Sequence, residues 1–353
     1  MTLQKLLPNI INQYNNSTLV LFIFSGDFPQ IGKSELNALL ESNNISYTIV
    51  KENFRIMILS FNYYRNSFND IFSRIAYCNY FGILLFYYQI DNENFCTLDN
   101  SHDYIKNIKT FSVKKINNVK KINIKFESLI GSLVKKSFPS LNVCLDNPDM
   151  YLFICEFDDL LLVFSKYDGY DLPRWQNRRP RARPFFRPFS VYPKLSRALI
   201  NLCRLNSGQT ILDPFCGTGS FGIEASLMNI NFIGIDISHK ICIGSQKNFT
   251  HYELSNCHII NSDSLYLPVN EVDGIVTDFP YGRSSIKKFT DTSKFQSDFF
   301  NEISPILKSH SYFVYMLPKN WINFTHSDFE LVDQHEIYIH KKLTRLINVV
   351  KKR

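Results

Sequence analysis

The C-terminal half of this 353-residue chain reads as an α/β fold on an open, largely parallel sheet, with smaller α+β regions ahead of it. Three observations carry that expectation. From residue 193 onward, short apolar strands alternate with helical segments, the pattern that strand–helix–strand crossovers produce. A glycine-rich string, Gly217-Thr218-Gly219-Ser220-Phe221-Gly222, falls between the first of those strands and the next helix. Three successive strands of this region close on acids: Asp213, Asp236 and Asp263.

The elements follow in order. An apolar strand at 19–24, a Gly26-Asp27 turn, a helix pattern over 33–41, strands at 47–50 and 55–60, a helix over 67–78 and a strand at 82–88 predict a small α+β domain over 1–90. A polar stretch, 91–103, opens a second small region, 91–166. It carries a helix over 127–134 and strands at 151–157 and 160–164. Residues 167–192 form a basic connector, in which Pro180, Pro184 and Pro188 are excluded from helix interiors and favour extended chain. The last region, 193–353, predicts helices at 194–204, 221–228 and 240–251. Its strands fall at 210–213, 232–236, 258–261, 274–277, 312–316, 336–340 and 345–350.

Bulk properties narrow the class. A chain of this length suits two or three domains, and 45% hydrophobic content supplies real cores. The longest apolar run, 80–88, is short of the roughly 18 residues of a membrane span. No secretory signal is evident, and eight cysteines without a CxxC pair read as reduced thiols rather than a disulfide or zinc framework. A cytoplasmic protein with no metal and no membrane association is expected.

The net charge of +7 is unevenly spread. Residues 106–125 hold seven lysines and no acid, and residues 174–187 hold six arginines and no acid, interleaved with Trp175, Phe185 and Phe186. One such run is ordinary solvated surface; two point to a polyanion partner. The connector itself has two readings, a plain linker and a basic strap along a nucleic-acid path.

The string from Gly217 to Gly222 fits G-x-G-x-x-G, so a dinucleotide site has to be weighed. Asp213 argues against it, because a carboxylate at the strand end would repel a pyrophosphate. The same carboxylate suits the ammonium of S-adenosylmethionine (SAM). Asp213-Pro214-Phe215-Cys216-Gly217-Thr218-Gly219 looks like the SAM loop of a Rossmann-like methyltransferase. Gly217 and Gly219 let backbone approach a cofactor. Asp236 is placed to accept the ribose hydroxyls, and Asp263 to take the adenine amine. The candidate cofactor residues are Asp213, Pro214, Cys216, Gly217, Gly219, Asp236 and Asp263.

Asp278-Phe279-Pro280-Tyr281 follows the strand at 274–277 and looks like the acceptor motif of enzymes that methylate a nucleobase amine. An aromatic amine is a poor nucleophile, since its lone pair is delocalised. Asp278 and the Phe279 carbonyl can accept its two N–H groups, Pro280 brings no competing donor, and Tyr281 can stack on an extruded base. Alone, the string reads as a strand-end turn; after a SAM loop and an adenine-site acid it reads as catalytic.

A lysine-rich segment, a helix carrying Ile130-Gly131 and the string Asp146-Asn147-Pro148-Asp149 resemble the THUMP domain of RNA-modifying enzymes. That resemblance implies RNA binding and a ferredoxin-like domain ahead of it. With Arg183-Pro184-Phe185-Phe186-Arg187-Pro188, Pro193 to Leu199, the SAM loop, Asp278 to Ser284 and His340 to Arg345, nearly the whole chain resembles the archaeal tRNA (guanine-10 N2)-dimethyltransferases and their eukaryotic relative. The resemblance implies SAM as cofactor, tRNA as partner, the 2-amino group of guanosine 10 as acceptor and, as for the eukaryotic relative, a small activating methyltransferase subunit. The candidate substrate contacts are Arg283, Arg183, Arg187, Lys114 and Lys115. Two positions depart from the family pattern: Phe279 stands where proline is usual, and Arg187 where histidine is. The competing readings are an amino-methyltransferase for another RNA or for DNA, and a catalytically silent tRNA-binding protein.

Overall fold

A computed structural model describes residues 6–14, 17–62, 67–116, 124–166, 175–188, 190–280, 292–321, 325–341 and 343–353. In chain order its elements are α1 (Leu6–Gln13), β1 (Thr18–Phe24), α2 (Pro29–Ser42), β2 (Thr48–Glu52), β3 (Ile56–Phe61), α3 (Ser67–Phe72), β4 (Cys78–Gln89), β5 (Asn94–Thr97), α4 (Asn100–Ile105), β6 (Thr110–Lys115), α5 (Ile124–Ser137), β7 (Asn142–Val143), β8 (Met150–Phe157) and β9 (Leu160–Lys166). They continue with α6 (Trp175–Arg178), a 3-10 turn (Pro180–Ala182), α7 (Pro193–Leu202), β10 (Thr210–Asp213), α8 (Ser220–Ser226), β11 (Asn231–Asp236), α9 (His239–His251), β12 (Cys257–Asn261), β13 (Val272–Asp278), α10 (Thr292–Ile303), β14 (Leu307–Pro318), β15 (Phe329–His340) and β16 (Leu343–Lys352). The chain forms two compact units. One holds Met1–Pro29, Ser46–Ser73 and Cys78–Leu172; the other holds Gln30–Ile45, Arg74–Tyr77 and Pro173–Arg353.

The first unit is built on one sheet, ordered β2-β3-β1-β4-β9-β8-β6-β7, with β5 also on β4. β4 makes this possible through its length. Its first half pairs with β1, its last residues pair with β5, and its other edge carries β9. Gly82 permits that last contact, because a Cβ there would stand 2.0 Å from the Ser165 carbonyl oxygen. Side chains of β4 feed two cores, Leu84 and Tyr87 in one, Leu85, Phe86 and Tyr88 in the other, with the alternation broken where the register against β9 shifts between Leu84 and Phe86. The boundary expected at residue 90 therefore falls at the end of β4, and strands on both sides of it share a sheet.

The second unit holds a seven-stranded sheet ordered β12-β11-β10-β13-β14-β16-β15. The pairings from β12 to β14 are parallel; β16 joins antiparallel to β14, and β15 antiparallel to β16. α10 was not anticipated, although Phe295, Phe299, Phe300 and Ile303 recur at helical spacing and bury one face. α2 belongs to this unit. Its Glu35, fully buried, accepts the amides of Ala76 and Tyr77 at 2.9 Å each and the Asn201 side-chain amide at 2.9 Å. The connector is not simply extended: its described residues hold α6, and Pro180 opens the 3-10 turn, the position a residue without an amide proton suits.

Candidate active site

Strand order reverses at β10: β11 and β12 lie to one side, β13 and β14 to the other. In open α/β sheets the crevice beyond the carboxyl ends at such a reversal receives the ligand. Asp213 is the last residue of β10 and Asp278 the last of β13, so one acid stands on each lip. Asp236 ends β11, and Asp263 follows β12.

The loop after β10 is held by its own backbone and by α9. Gly217 and Gly219 take φ of 52° and 75°, a left-handed backbone that glycine adopts without strain. The Cys216 amide donates to the Ile235 carbonyl at 2.9 Å, and the Gly219 amide to the Cys216 carbonyl at 2.9 Å. From α9, the Ser245 hydroxyl donates to the Gly217 carbonyl and the Asn248 amide to the Thr218 carbonyl at 3.0 Å. A Cβ on Gly219 would stand 2.6 Å from the Phe249 ring, whereas one on Gly217 would meet only the Phe215 carbonyl oxygen, at 3.9 Å. Pro214 and Cys216 are buried beneath the loop, and burial pushes the Cys216 thiol well above its usual range.

The acids share a field but differ in partners. Asp213 is 1% exposed; its Oδ1 accepts the Thr277 hydroxyl at 2.7 Å and the Phe215 amide at 3.1 Å. Burial pushes its carboxyl up to about 7, against those donors and with the help of Asp278 and Asp236. Asp236 is raised by burial, opposed by the Ser238 and Gly217 amides. Asp278 is pushed up to about 7 by burial, and Arg345 opposes the shift. The Arg345 guanidinium stands 3.2 Å from Asp278 Oδ2, while Asp278 Oδ1 is buried with no hydrogen-bond partner among the described residues. Asp263 Oδ1 accepts the Leu265 amide at 3.1 Å and so also shapes its turn.

These residues fit SAM. Carboxyls converging from three strand ends suit a ligand carrying a sulfonium and an ammonium, and the space beside Gly217 is one a side chain would fill. A pyrophosphate would meet like charge at the same place.

Phe279 explains its own departure from proline. Its amide donates to the Met316 carbonyl at 3.0 Å, a bond proline cannot make, and it prolongs the β13–β14 pairing by one residue. Its ring is 1% exposed among Phe215, Phe295, Phe299, Phe313, Tyr315 and Trp321, with the Phe299 centroid at 5.3 Å. The side chain anchors the end of β13 in the core. Pro280 is half-buried. Tyr281 and Arg283 lie outside the described residues.

Arg183, a candidate substrate contact, is 4% exposed: its Nε donates to the Arg178 carbonyl at 2.9 Å and its Nη1 to the Ser220 hydroxyl at 2.7 Å, while Nη2 is buried with no hydrogen-bond partner among the described residues. Around it the connector is docked on the SAM-loop wall. Arg178 forks onto Glu224 (2.7 and 3.2 Å), Phe185 exchanges both backbone bonds with the Asn248 side chain, and its ring lies where a Cβ on Gly244 would be. Arg187 is half-buried with its guanidinium 5.2 Å from the Phe185 ring centroid, and Arg179 and Arg181 are exposed. Lys114 and Lys115, in the first unit, are exposed at the end of β6, with the Lys114 ammonium 4.0 Å from the Tyr151 ring centroid. Sequence reasoning missed Ser245, Asn248, Glu224 and Arg345 as parts of the site. Only Arg345 carried a signal, in the terminal Leu-Thr-Arg string.

A sheet of this order, with acids on both lips of its reversal, defines the Rossmann-like SAM-dependent methyltransferases. Comparison with known proteins agrees. Residues 180–345 match a family model described as RMKL-like, methyltransferase domain, and residues 44–247 match one described as DNA methylase. A tRNA (guanine(10)-N2)-dimethyltransferase of Methanocaldococcus jannaschii is 29% identical, over 95% of this chain and 100% of the relative. The probable tRNA (guanine(10)-N2)-dimethyltransferase of Methanothermococcus thermolithotrophicus is 40% identical over 45% of this chain and 98% of its own length. The crystal structure of TrmN from Thermus thermophilus shares the fold, with a TM-score of 0.50 at 15% identity, covering 95% of this chain and 100% of that one. The chain belongs to the tRNA (guanine(10)-N2)-dimethyltransferase family.

Proposed function

We propose that this protein transfers methyl groups from SAM to the N2 amine of guanosine 10 in tRNA, giving the monomethylated and then the dimethylated base. One observation carries the proposal beyond family membership: a buried carboxylate oxygen, Asp278 Oδ1, lacks a donor among the described residues at the lip of the cofactor crevice. Such an atom suits an N–H of the acceptor amine.

Bound SAM supplies an electrophilic methyl on a sulfonium. Asp213, Asp236 and Asp263 would hold its ammonium, ribose and adenine, with Pro214, Cys216, Gly217 and Gly219 forming the bed. Asp278 accepts one amine hydrogen bond and the Phe279 carbonyl the other, drawing the nitrogen lone pair out of conjugation. A carboxyl raised to about 7 is matched to taking the amine proton near neutral pH. Pro280 fixes the carbonyl and Tyr281 stacks on the extruded base, a contact of about 1–3 kcal/mol. Positioning supplies most of the rate. The N-terminal regions are the tRNA grip, a ferredoxin-like part over 1–90 and a THUMP-like part over 91–166, with exposed Lys114 and Lys115 among the phosphate contacts. Among the described residues no helix is long and apolar enough to cross a membrane, and we place the protein in the cytoplasm.

The test is transfer from labelled SAM to an unmodified tRNA transcript beside a guanosine-10-to-adenosine control, with nucleosides resolved by mass spectrometry. N2-methylated guanosine that vanishes in the control is expected. Product that persists in the control would move the target to another nucleotide. Absence of product with SAM bound would call for an activating subunit, and continued absence with one supplied would overturn the assignment.

A further inference from the structure

We propose that Arg345 is a positioning residue of the methyl-transfer site: its guanidinium pins one oxygen of Asp278 and so presents the other, ionised, to the acceptor amine. The inference rests on the function proposed above. It adds a residue from the antiparallel end of the sheet, far in sequence from both the SAM loop and the acceptor motif.

The register explains how Arg345 arrives. Asp278 on β13 is aligned with Met316 on β14, which is aligned with Ile347 on β16. Arg345 stands two residues from Ile347 and so on the same face of the sheet. The two side chains must meet across one intervening strand, about 10 Å from β16 to β13, which an arginine and an aspartate reaching toward each other span. The partner of Arg345 on β14 is Pro318, where the strand ends. The antiparallel strand thus delivers a cation from the far side of β14 to the carboxyl lip of β13.

The ion pair is enclosed, with the Arg345 side chain 10% exposed and that of Asp278 15%. Among the described residues it is the one ion pair Asp278 makes. Among the described residues Asp278 is also coupled to Asp213 on β10, of like sign, which is coupled in turn to Asp236 on β11. Without Arg345, burial and like charge would both drive Asp278 toward its neutral form, whose hydroxyl donates where an acceptor is needed. With it, Oδ2 is occupied and Oδ1 is left for the substrate. Lysine would restore the charge but not the planar fork.

A purely structural ion pair would affect folding alone, so the experiment separates the two. The full-length chain is prepared as Arg345→Met, Arg345→Lys, Asp278→Asn and Asp278→Asn with Arg345→Met. Single-turnover methyl transfer to the tRNA transcript is followed from pH 6 to 9, alongside SAM and tRNA affinities and melting temperatures. For Arg345→Met we expect a rate loss of roughly 10–100-fold at pH 7 and an acid limb displaced upward by about one pH unit or more, with both affinities nearly unchanged. Arg345→Lys returns the limb toward the wild-type position with part of the rate. In the Asp278→Asn background the melting-temperature cost of Arg345→Met shrinks, because no carboxylate is left unpaired. A wild-type acid limb in Arg345→Met, or an equal melting-temperature loss in both backgrounds, overturns the proposal. If Arg345→Met does not fold, Arg345→Lys decides: a limb and rate identical to wild type would remove any role for the fork, and a displaced limb would remove the charge argument. Should the wild type fail to methylate guanosine 10, the functional reading fails, while the melting-temperature cycle still reports on the ion pair.

Discussion

Asp213 and Asp278 stand at equivalent ends of neighbouring strands, both in a protein interior that raises them to about 7, yet they are partnered in opposite ways. Asp213 is held by neutral donors, a hydroxyl and a backbone amide on the same oxygen. Asp278 is held by a guanidinium on one oxygen and nothing described on the other. Neutral donors make a fixed corner; a cation on one side makes a directed acceptor. The cofactor lip and the substrate lip of one crevice are distinguished by who holds the acid.

The largest expected effect tests the acceptor side. Asp278→Ala should lower methyl transfer by about 10³-fold or more while leaving tRNA affinity unchanged; turnover equal to wild type would remove Asp278 from the chemistry. Next comes packing under the motif. Phe279→Ala empties the centre of an aromatic cluster and should cost about 3–5 kcal/mol of stability, read by denaturant unfolding. Phe279→Pro removes the same ring and also the amide that donates to the Met316 carbonyl, so it should cost at least as much in the same unfolding measurement.

The pH dependence sharpens the contrast. Asp278 can take the amine proton only when ionised, so the rate should fall as pH drops through about 7. For Asp213 the linkage runs through stability. Its folded value of about 7 lies above the ordinary 3.8, so the unfolded chain loses its proton first and stability declines as pH rises from about 4 to 7. Asp213→Asn keeps an oxygen for Thr277 and Phe215 while removing the charge. It should raise the melting temperature at pH 8 by about a few degrees and weaken SAM binding at least several-fold, as calorimetry would show. A variant no more stable at pH 8 than at pH 5, relative to wild type, would contradict the buried-charge account. The smallest effect belongs to the surface. Lys114→Ala with Lys115→Ala should weaken tRNA binding a few-fold and reduce its salt slope by about 1–2, leaving SAM affinity alone.

Much of the second unit was legible because periodicity and punctuation agree there. The strand at 210–213 ends where the structure ends it, since Asp213-Pro214 and two left-handed glycines break the pattern. The cofactor-side acids were legible as a set for the same reason. β15 was read short because its mostly exposed side chains hide a strand that pairing with β16 sustains, and β14 because exposed polar Lys308, Ser309 and His310 fall where its register against β13 shifts. The burial of Arg183 was not legible, because six arginines without an acid look like surface and nothing local announces that Ser220 lies opposite. The Asp278–Arg345 pair joins residues 67 positions apart through an intervening strand, a relation that only sheet order creates (345 − 278).

α2 has a consequence for the life of the chain before it becomes an enzyme. Its Leu36, Leu39 and Leu40 are fully buried, and Glu35 finds its amide partner Asn201 only 166 residues later. At about 5–20 residues per second, a ribosome needs roughly 10–30 s to supply that partner. For that interval the helix keeps an apolar face, and its carboxylate has only the Ala76 and Tyr77 amides, while β1 and β2, on either side of it in sequence, are already able to pair with β3. A nascent chain so arranged presents a holdase with a defined client segment, residues 30–45. It also means that cutting the gene at residue 166 would not release a clean catalytic half, because a piece of that half is written near the beginning.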